Sequence, residues 1–291
     1  MRLGVVFPQT EIGADPGAIR AYVAAVAEAG YDHLLAYDHV VGADPAIHEG
    51  WRGPYDISST FHEPFVLFGY LAAITTLELV TGIIILPQRQ TVLVAKQAAE
   101  VDLLTGGKLR LGVGIGWNAV EYEALGQDFS NRGKRLGEQI TVMRRLWTEP
   151  SVSFTGDYAT LTGAGIAPLP VQRPIPVWFG ASSPPALRRA GTMGDGWFPM
   201  MAPGAKLDDA IAVVHDAARA AGRDPGGLGM EGRIDFLDSA GPGGDDQLVA
   251  KAAGWRAAGA THLSLNTMRA GLATVDDHIK AVTTAFGSLV A

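Results

Sequence analysis

The sequence contains no cysteine, so disulfide staples and thiolate metal sites are excluded from the start. Apolar runs such as Ile83–Leu86 are far shorter than the roughly 18 to 20 residues needed to cross a bilayer. Basic residues occur singly or in short pairs such as Arg144–Arg145 and Arg188–Arg189. With a formal net charge of −7, no surface is suited to a polyphosphate backbone. No charged leader precedes the first apolar strand. These absences give the expectation of a cytoplasmic protein with neither nucleic-acid nor membrane partners.

Several catalytic signatures are missing too. No His-x-His pair and no Glu-x-x-His pair is present, and His39, His48 and His62 have no metal-ligand spacing, so no metal is expected. The nucleophile elbow G-x-S-x-G is absent. Gly112, Gly114 and Gly116 alternate, but Trp117 stands where the dinucleotide fingerprint needs its last glycine, which disfavours a Rossmann-type site.

What is present is a globular composition, with 47% apolar and 18% charged residues, on a 291-residue chain. Short β-branched runs alternate with amphipathic segments eight times. The strands are expected at 3–7, 33–37, 79–86, 109–115, 177–179, 196–199, 229–236 and 262–266. Helices are expected at 16–29, 64–76, 92–104, 133–147, 185–193, 207–221, 246–258 and 275–289. Pro16 suits the start of the first helix and Gly30 its stop. Eight near-continuous apolar strands, each followed by a helix, predict an α/β fold, a (β/α)8 TIM barrel forming one domain over 1–291. A doubly wound open sheet is the structural alternative.

Two connections exceed an ordinary βα loop. Val40–Glu63 follows the second strand and carries His48, Trp51, Arg52, Tyr55 and His62. The other, about 150–176, lies between unit four and strand five and reads as an inserted segment with a hairpin from Val152 to Leu161.

Tyr37-Asp38-His39 closes the second strand and sets an acid and an imidazole at the barrel mouth, where a histidine can give or take a proton. The alternating glycines leave one face of the fourth strand without side chains, so a planar or phosphorylated ligand can approach the backbone. Gly180-Ala181-Ser182-Ser183-Pro184-Pro185 is a small-residue turn at a helix start, suited to a phosphate. Trp117 is expected to wall an apolar substrate pocket with Trp51 and Tyr55. The plainer readings are that Asp38 caps a loop, that His39 packs, and that the small-residue turn is only a turn.

Beyond single motifs, the chain resembles the bacterial-luciferase-like superfamily, in its branch of coenzyme F420-dependent oxidoreductases. The resemblance is carried by Gly4-Val5-Val6-Phe7-Pro8, Tyr37-Asp38-His39, the stretch from Thr81 to Pro87, and Lys96–Asp102 with Gly106–Gly114. Gly116-Trp117-Asn118 with Glu121-Tyr122, Phe179–Ser183 and Gly194-Asp195-Gly196-Trp197 extend it along nearly the whole chain. It implies a barrel with a cofactor at its C-terminal face, a small-molecule substrate, a homodimer, and a non-prolyl cis peptide at Gly82–Ile83. It further implies His39 as the catalytic proton donor or acceptor and Asp38 at the edge of the deazaflavin ring. The cofactor-binding set would include Gly82, Ile83 and Leu86 on the third strand. Gly114, Ile115, Gly116 and Trp117, with Gly180, Ala181, Ser182 and Ser183, would hold the ribityl chain and phosphate. The resemblance leaves open a monooxygenase using reduced FMN in place of F420, and a non-catalytic binder of either group.

Overall fold

The computed structural model describes residues 1–239 and 244–291. In chain order the strands and helices are β1 (Arg2–Val6), α1 (Gln9–Ile12), α2 (Pro16–Ala29), β2 (His33–Ala36), α3 (Pro64–Leu71), β3 (Glu78–Thr81), β4 (Ile84–Ile85), α4 (Thr91–Leu104), β5 (Leu109–Gly114), α5 (Ala119–Ala124) and α6 (Arg132–Thr148). They continue with β6 (Val152–Thr155), β7 (Thr160–Ala164), β8 (Val177–Ala181), α7 (Pro184–Met193), β9 (Gly196–Pro199), α8 (Ala205–Ala220), β10 (Gly229–Asp235), α9 (Gly244–Ala257), β11 (His262–Asn266) and α10 (Val275–Val290).

The barrel order is β3-β2-β1-β11-β10-β9-β8-β5, and pairing of β3 with β5 closes it. All of these pairs are parallel, with Leu3 beside Leu263 and Leu79 beside Leu109. Such a sheet is buried on both faces, which is why β1, β2 and β5 read as nearly unbroken apolar runs. The helices begin where their caps are. Asp15 accepts the Gly17 N–H at 2.8 Å ahead of Pro16, and Thr274 with Asp277 forms a capping box on α10. The excursion at 150–176 contains the antiparallel pair β6–β7, as expected.

The third barrel strand departs from expectation. Instead of one run over 79–86 it is two pieces, because β3 pairs Val80 with Arg110 while β4 pairs Ile84 with Val113. Four residues therefore oppose three, which is a bulge. The Gly82–Ile83 peptide inside it is cis, and Leu86 begins a 3-10 turn rather than ending a strand. The short helices α1 and α5 were also unforeseen, being too brief to carry a periodic signal.

Beneath the mouth, the barrel interior holds a polar layer. Arg110 on β5 bonds Glu231 on β10 and lies 3.3 Å from Glu78. Glu231 also takes His33 Nε2, at 2.9 Å, and the Ser264 hydroxyl. Four barrel strands and the β3 edge are thus joined by a buried ion network in which Arg110 faces two carboxylates, as the low dielectric requires, while His33 Nδ1 is buried without a hydrogen-bond partner.

Candidate active site

The C-terminal ends of the barrel strands surround a cavity of about 350 Å³. This is the face at which parallel barrels gather loop-borne chemistry. Seven of the residues expected to act on or hold the cofactor line it: Asp38, His39, Gly82, Ile83, Gly116, Trp117 and Gly180. Leu86 and Ala181 are instead buried in the hydrophobic core, and Gly114 is buried within β5. Ile115 packs against the core, its carbonyl accepting the Tyr122 hydroxyl at 2.7 Å. Ser182 and Ser183 lie exposed at the start of α7.

The alternating glycines serve a different purpose from the one expected. A Cβ on Gly112 would overlap the carbonyl oxygen of Thr81, and one on Gly114 would stand 2.6 Å from Ile83 Cδ1. Their missing side chains make room for the bulged third strand, not for a ligand. Ile83 fits between Gly114 and Gly180, where a Cβ on the latter would be 3.2 Å from Ile83 Cγ2. Only Gly116 of this set borders the cavity, and its φ of 65° also favours glycine.

Asp38 is 3% exposed, and both its oxygens are engaged within the protein. Oδ2 accepts the Ile85 N–H at 2.9 Å and Oδ1 accepts Arg89 Nη2 at 2.7 Å, with Arg89 also reaching Glu63 at 2.8 Å. Burial raises its pKa against the opposing pull of Arg89. Asp38 therefore fastens the bulge to the end of β2, and its position on the cavity wall is secondary to that bond.

His39 has the features of a proton-transfer group. Its Nδ1 lies 3.2 Å from Glu121 Oε2, and the other oxygen of Glu121 accepts the Val40 N–H. Tyr55, Phe61 and Trp117 surround the ring at centroid distances of 5.3, 4.8 and 5.6 Å. Glu121 was not among the expected site residues. It sits on α5, which begins because Asn118 Oδ1 accepts the Val120 N–H at 3.1 Å. The spacing Asn118-x-x-Glu121 was readable as a capping box, but the glutamate turns away from the cap toward His39. Arg89, Glu231 and Ser264 were likewise missed, because their partners lie far along the chain, and Arg233 was missed although Asp235 is only two residues away.

The loop 40–63 crosses the mouth without helix or strand. Trp117 and Tyr55 line the cavity as expected, whereas Trp51 stands behind them. Its ring centroid is 5.6 Å from that of Trp117, and its Nε1 donates to the Tyr55 carbonyl at 3.1 Å. The three histidines near this loop diverge, with His48 against Trp51 and His62 Nε2 at 3.1 Å from the Gly13 carbonyl oxygen. At the start of α7, Ser183 makes no side-chain cap. Pro184 and Pro185 carry no N–H, so the backbone donors of the expected phosphate seat are those of the residues before them.

With this geometry in hand, the chain can be compared with known proteins. A family profile described as luciferase-like monooxygenase matches residues 1–235, and the chain belongs to that family. Among individual relatives, an F420-dependent glucose-6-phosphate dehydrogenase of Gordonia bronchialis is 32% identical over 221 residues, 72% of this chain and 61% of that one. An uncharacterised protein of Mycobacterium tuberculosis is 38% identical over 164 residues, 56% of each chain. The chain thus spans little more than half the length of these relatives. An F420-dependent secondary alcohol dehydrogenase, solved with an F420–acetone adduct, superposes with a TM-score of 0.81 over 99% of this chain and 98% of its own, at 18% identity. A monooxygenase of Streptomyces bottropensis gives 0.71 over 100% and 99% at 21% identity. At those identities the likeness is one of fold.

Among the described residues no helix is long and apolar enough to cross a membrane.

Proposed function

We propose that this chain, as a single barrel domain over 1–291, is an oxidoreductase that uses coenzyme F420 to move a hydride to or from a small organic substrate. The observation that carries this reading is the His39–Glu121 pair on the wall of an apolar cavity whose floor is the Gly82–Ile83 bulge. The names of one relative, an F420-dependent glucose-6-phosphate dehydrogenase, and of one fold neighbour, an F420-dependent secondary alcohol dehydrogenase, point the same way.

The residues fit a flat heterocycle. Ile83 and Gly82 offer an apolar support, while Gly116 and Gly180 carry no side chain on their sides of the cavity. Ser182 and Ser183, exposed at the N-terminus of α7, suit a phosphate through their hydroxyls and N–H groups. When bound, the deazaflavin supplies or accepts the hydride. His39 manages the accompanying proton at Nε2, because Glu121 fixes Nδ1 and stabilises the imidazolium when it forms. Trp117, Tyr55 and the loop 40–63 exclude water from the reacting atoms.

Titration of the purified protein with F420 and with FMN, oxidised and reduced, tests the reading through ring absorbance. Tight F420 binding with weak FMN binding is expected. The reverse moves the protein to the flavin monooxygenases, and failure of both to bind removes the cofactor assignment. The homodimer expected from the resemblance is tested separately by light scattering; exposed Val66 on α3 with Val92 and Leu93 on α4 support it.

A further inference from the structure

Three charged side chains, Asp38, Glu231 and Arg233, line the cavity together with His39. Each already faces a group of opposite charge or one able to carry it. Asp38 lies 2.7 Å from Arg89, His39 lies 3.2 Å from Glu121, and Arg233 lies 3.1 Å from Asp235. Glu231 is bonded to Arg110. The nearby cation Arg269 does not line the cavity and is held differently. Its guanidinium donates to the Pro54 carbonyl and sits 4.5 Å over the Tyr55 ring, and its backbone N–H meets Glu11 at 2.9 Å. Much of the rest of the wall is apolar or aromatic, with Val6, Leu35, Ile83, Phe198 and Trp117 prominent.

Among the described residues, then, the wall has its charges balanced in pairs and keeps none in reserve for a charged ligand. An anion entering would give up its water without gaining a counter-ion, a loss that apolar contacts do not make good. Size narrows the choice further. The cavity of about 350 Å³ is near the lower end of the roughly 300–1,000 Å³ range of small-molecule pockets, and the cofactor ring must share it.

We infer that this cavity takes a small, uncharged, mainly apolar carbonyl compound or the corresponding alcohol, an aryl ketone rather than a carboxylate or a sugar phosphate. The inference rests on the hydride-transfer reading and adds the substrate class to it. In the reducing direction the carbonyl π bond breaks. The carbon gains a hydride, with both electrons, from the reduced deazaflavin, and the oxygen gains a proton from protonated His39. Oxidation of the alcohol is the reverse, with neutral His39 taking the hydroxyl proton.

A matched pair of probes tests this, acetophenone and 4-acetylbenzoate, which differ by one carboxylate. Binding to the F420-loaded protein is followed by quenching of tryptophan fluorescence, Trp117 being on the wall, and loading is measured independently from the cofactor's own absorbance. Acetophenone is expected to bind at least about tenfold more tightly, because the added carboxylate finds no unpaired cation on the cavity wall. Glucose 6-phosphate is expected to bind as poorly as the carboxylate. In Asp235→Asn the guanidinium of Arg233 loses its counter-ion, and the gap should shrink to about threefold or less as that group receives the probe's carboxylate. Equal or tighter binding of either anion by the wild-type protein overturns the substrate class. So does failure of both ketones to bind a protein that has loaded F420. If F420 does not load, the hydride reading fails instead, and the same two ketones titrated without cofactor still decide whether the cavity selects against charge.

Discussion

Two buried glutamates, Glu121 at the mouth of the barrel and Glu231 in its interior, hold basic partners in different ways. Glu231 accepts from Arg110, His33 and Ser264, and these donors come from three other barrel strands. Burial pushes its pKa up, but Arg110 and His33 push further down, so its carboxyl stays well below the usual range. Glu121, by contrast, rides on a six-residue helix and accepts one backbone N–H and one imidazole nitrogen. The first arrangement is closed, with its donors fixed on the sheet. In the second the imidazole keeps a nitrogen for whatever enters the cavity. Burial of a carboxylate is therefore not itself a sign of catalysis; what separates the two is whether the partner has chemistry left to do.

The sharpest way to break this comparison is to remove a partner at each end. His39→Gln keeps a donor for Glu121 yet cannot relay a proton, so turnover with F420 should fall by about 10²–10⁴-fold with little change in thermal unfolding. Glu231→Ala leaves Arg110 with Glu78 as its remaining carboxylate and takes the shared acceptor from His33 and Ser264, and should cost about 3–5 kcal/mol, read as a large drop in Tm. If the two variants exchanged these effects, the division between a closed interior pair and an open mouth pair would be wrong.

A smaller effect probes the bulge on which the site rests. Gly112→Ala places a methyl against the backbone oxygen of Thr81, which cannot move without disturbing β3, whereas Gly114→Ala meets only the end of the Ile83 side chain. Both should destabilise by about 1–3 kcal/mol, with Gly112→Ala the worse. Gly114→Ala should also weaken F420 binding by displacing Ile83. Equal costs in denaturant titrations would show that the strand, not the side chain, yields.

The weakest effect is on pH. Glu231 has a folded pKa below its ordinary 4.5, so its stabilisation is present above that value and is lost as the pH falls below it. Burial pushes His262 from its ordinary 6.5 down to about 3, so the neutral ring favours the folded state at pH above 6.5. This contribution fades between pH 6.5 and 3. The unfolded chain thus binds more protons in acid, and Tm should decline from pH 7 to 4. His262→Asn should flatten the upper part of that decline, between about pH 6.5 and 4.5, and leave the lower part to the carboxylates. An unchanged slope would remove His262 from the account.

The barrel was legible because its signals are local. Apolar runs of strand length, proline at helix starts and amphipathic segments of more than ten residues each report on themselves, and eight repeats of them leave few topologies open. His39 and Asp38 were legible for a related reason, since a strand end in a parallel barrel faces the site wherever the strand lies. The division of Glu78–Ile85 into two strands was not readable from the apolar run itself, and reached the sequence analysis only as the cis bond implied by resemblance. Glu121 was hidden because its partner His39 is 82 residues away, and α5 is too short to show a face.

By itself, then, the amino-acid sequence determined the alternation of strands and helices, the placing of the long connections, and the acid and imidazole at the end of β2. Those follow from side-chain periodicity and backbone preference, which act over a few residues. Only the tertiary structure decided that the glycines of β5 receive Thr81 and Ile83 of the bulged strand rather than a ligand, that Asp38 binds Arg89, and that each charge in the cavity wall is balanced. Such facts depend on closing the barrel, which brings β5 against the bulge and α5 against the root of the loop. Contacts of that kind are fixed by packing across long sequence separations, where no local pattern records them.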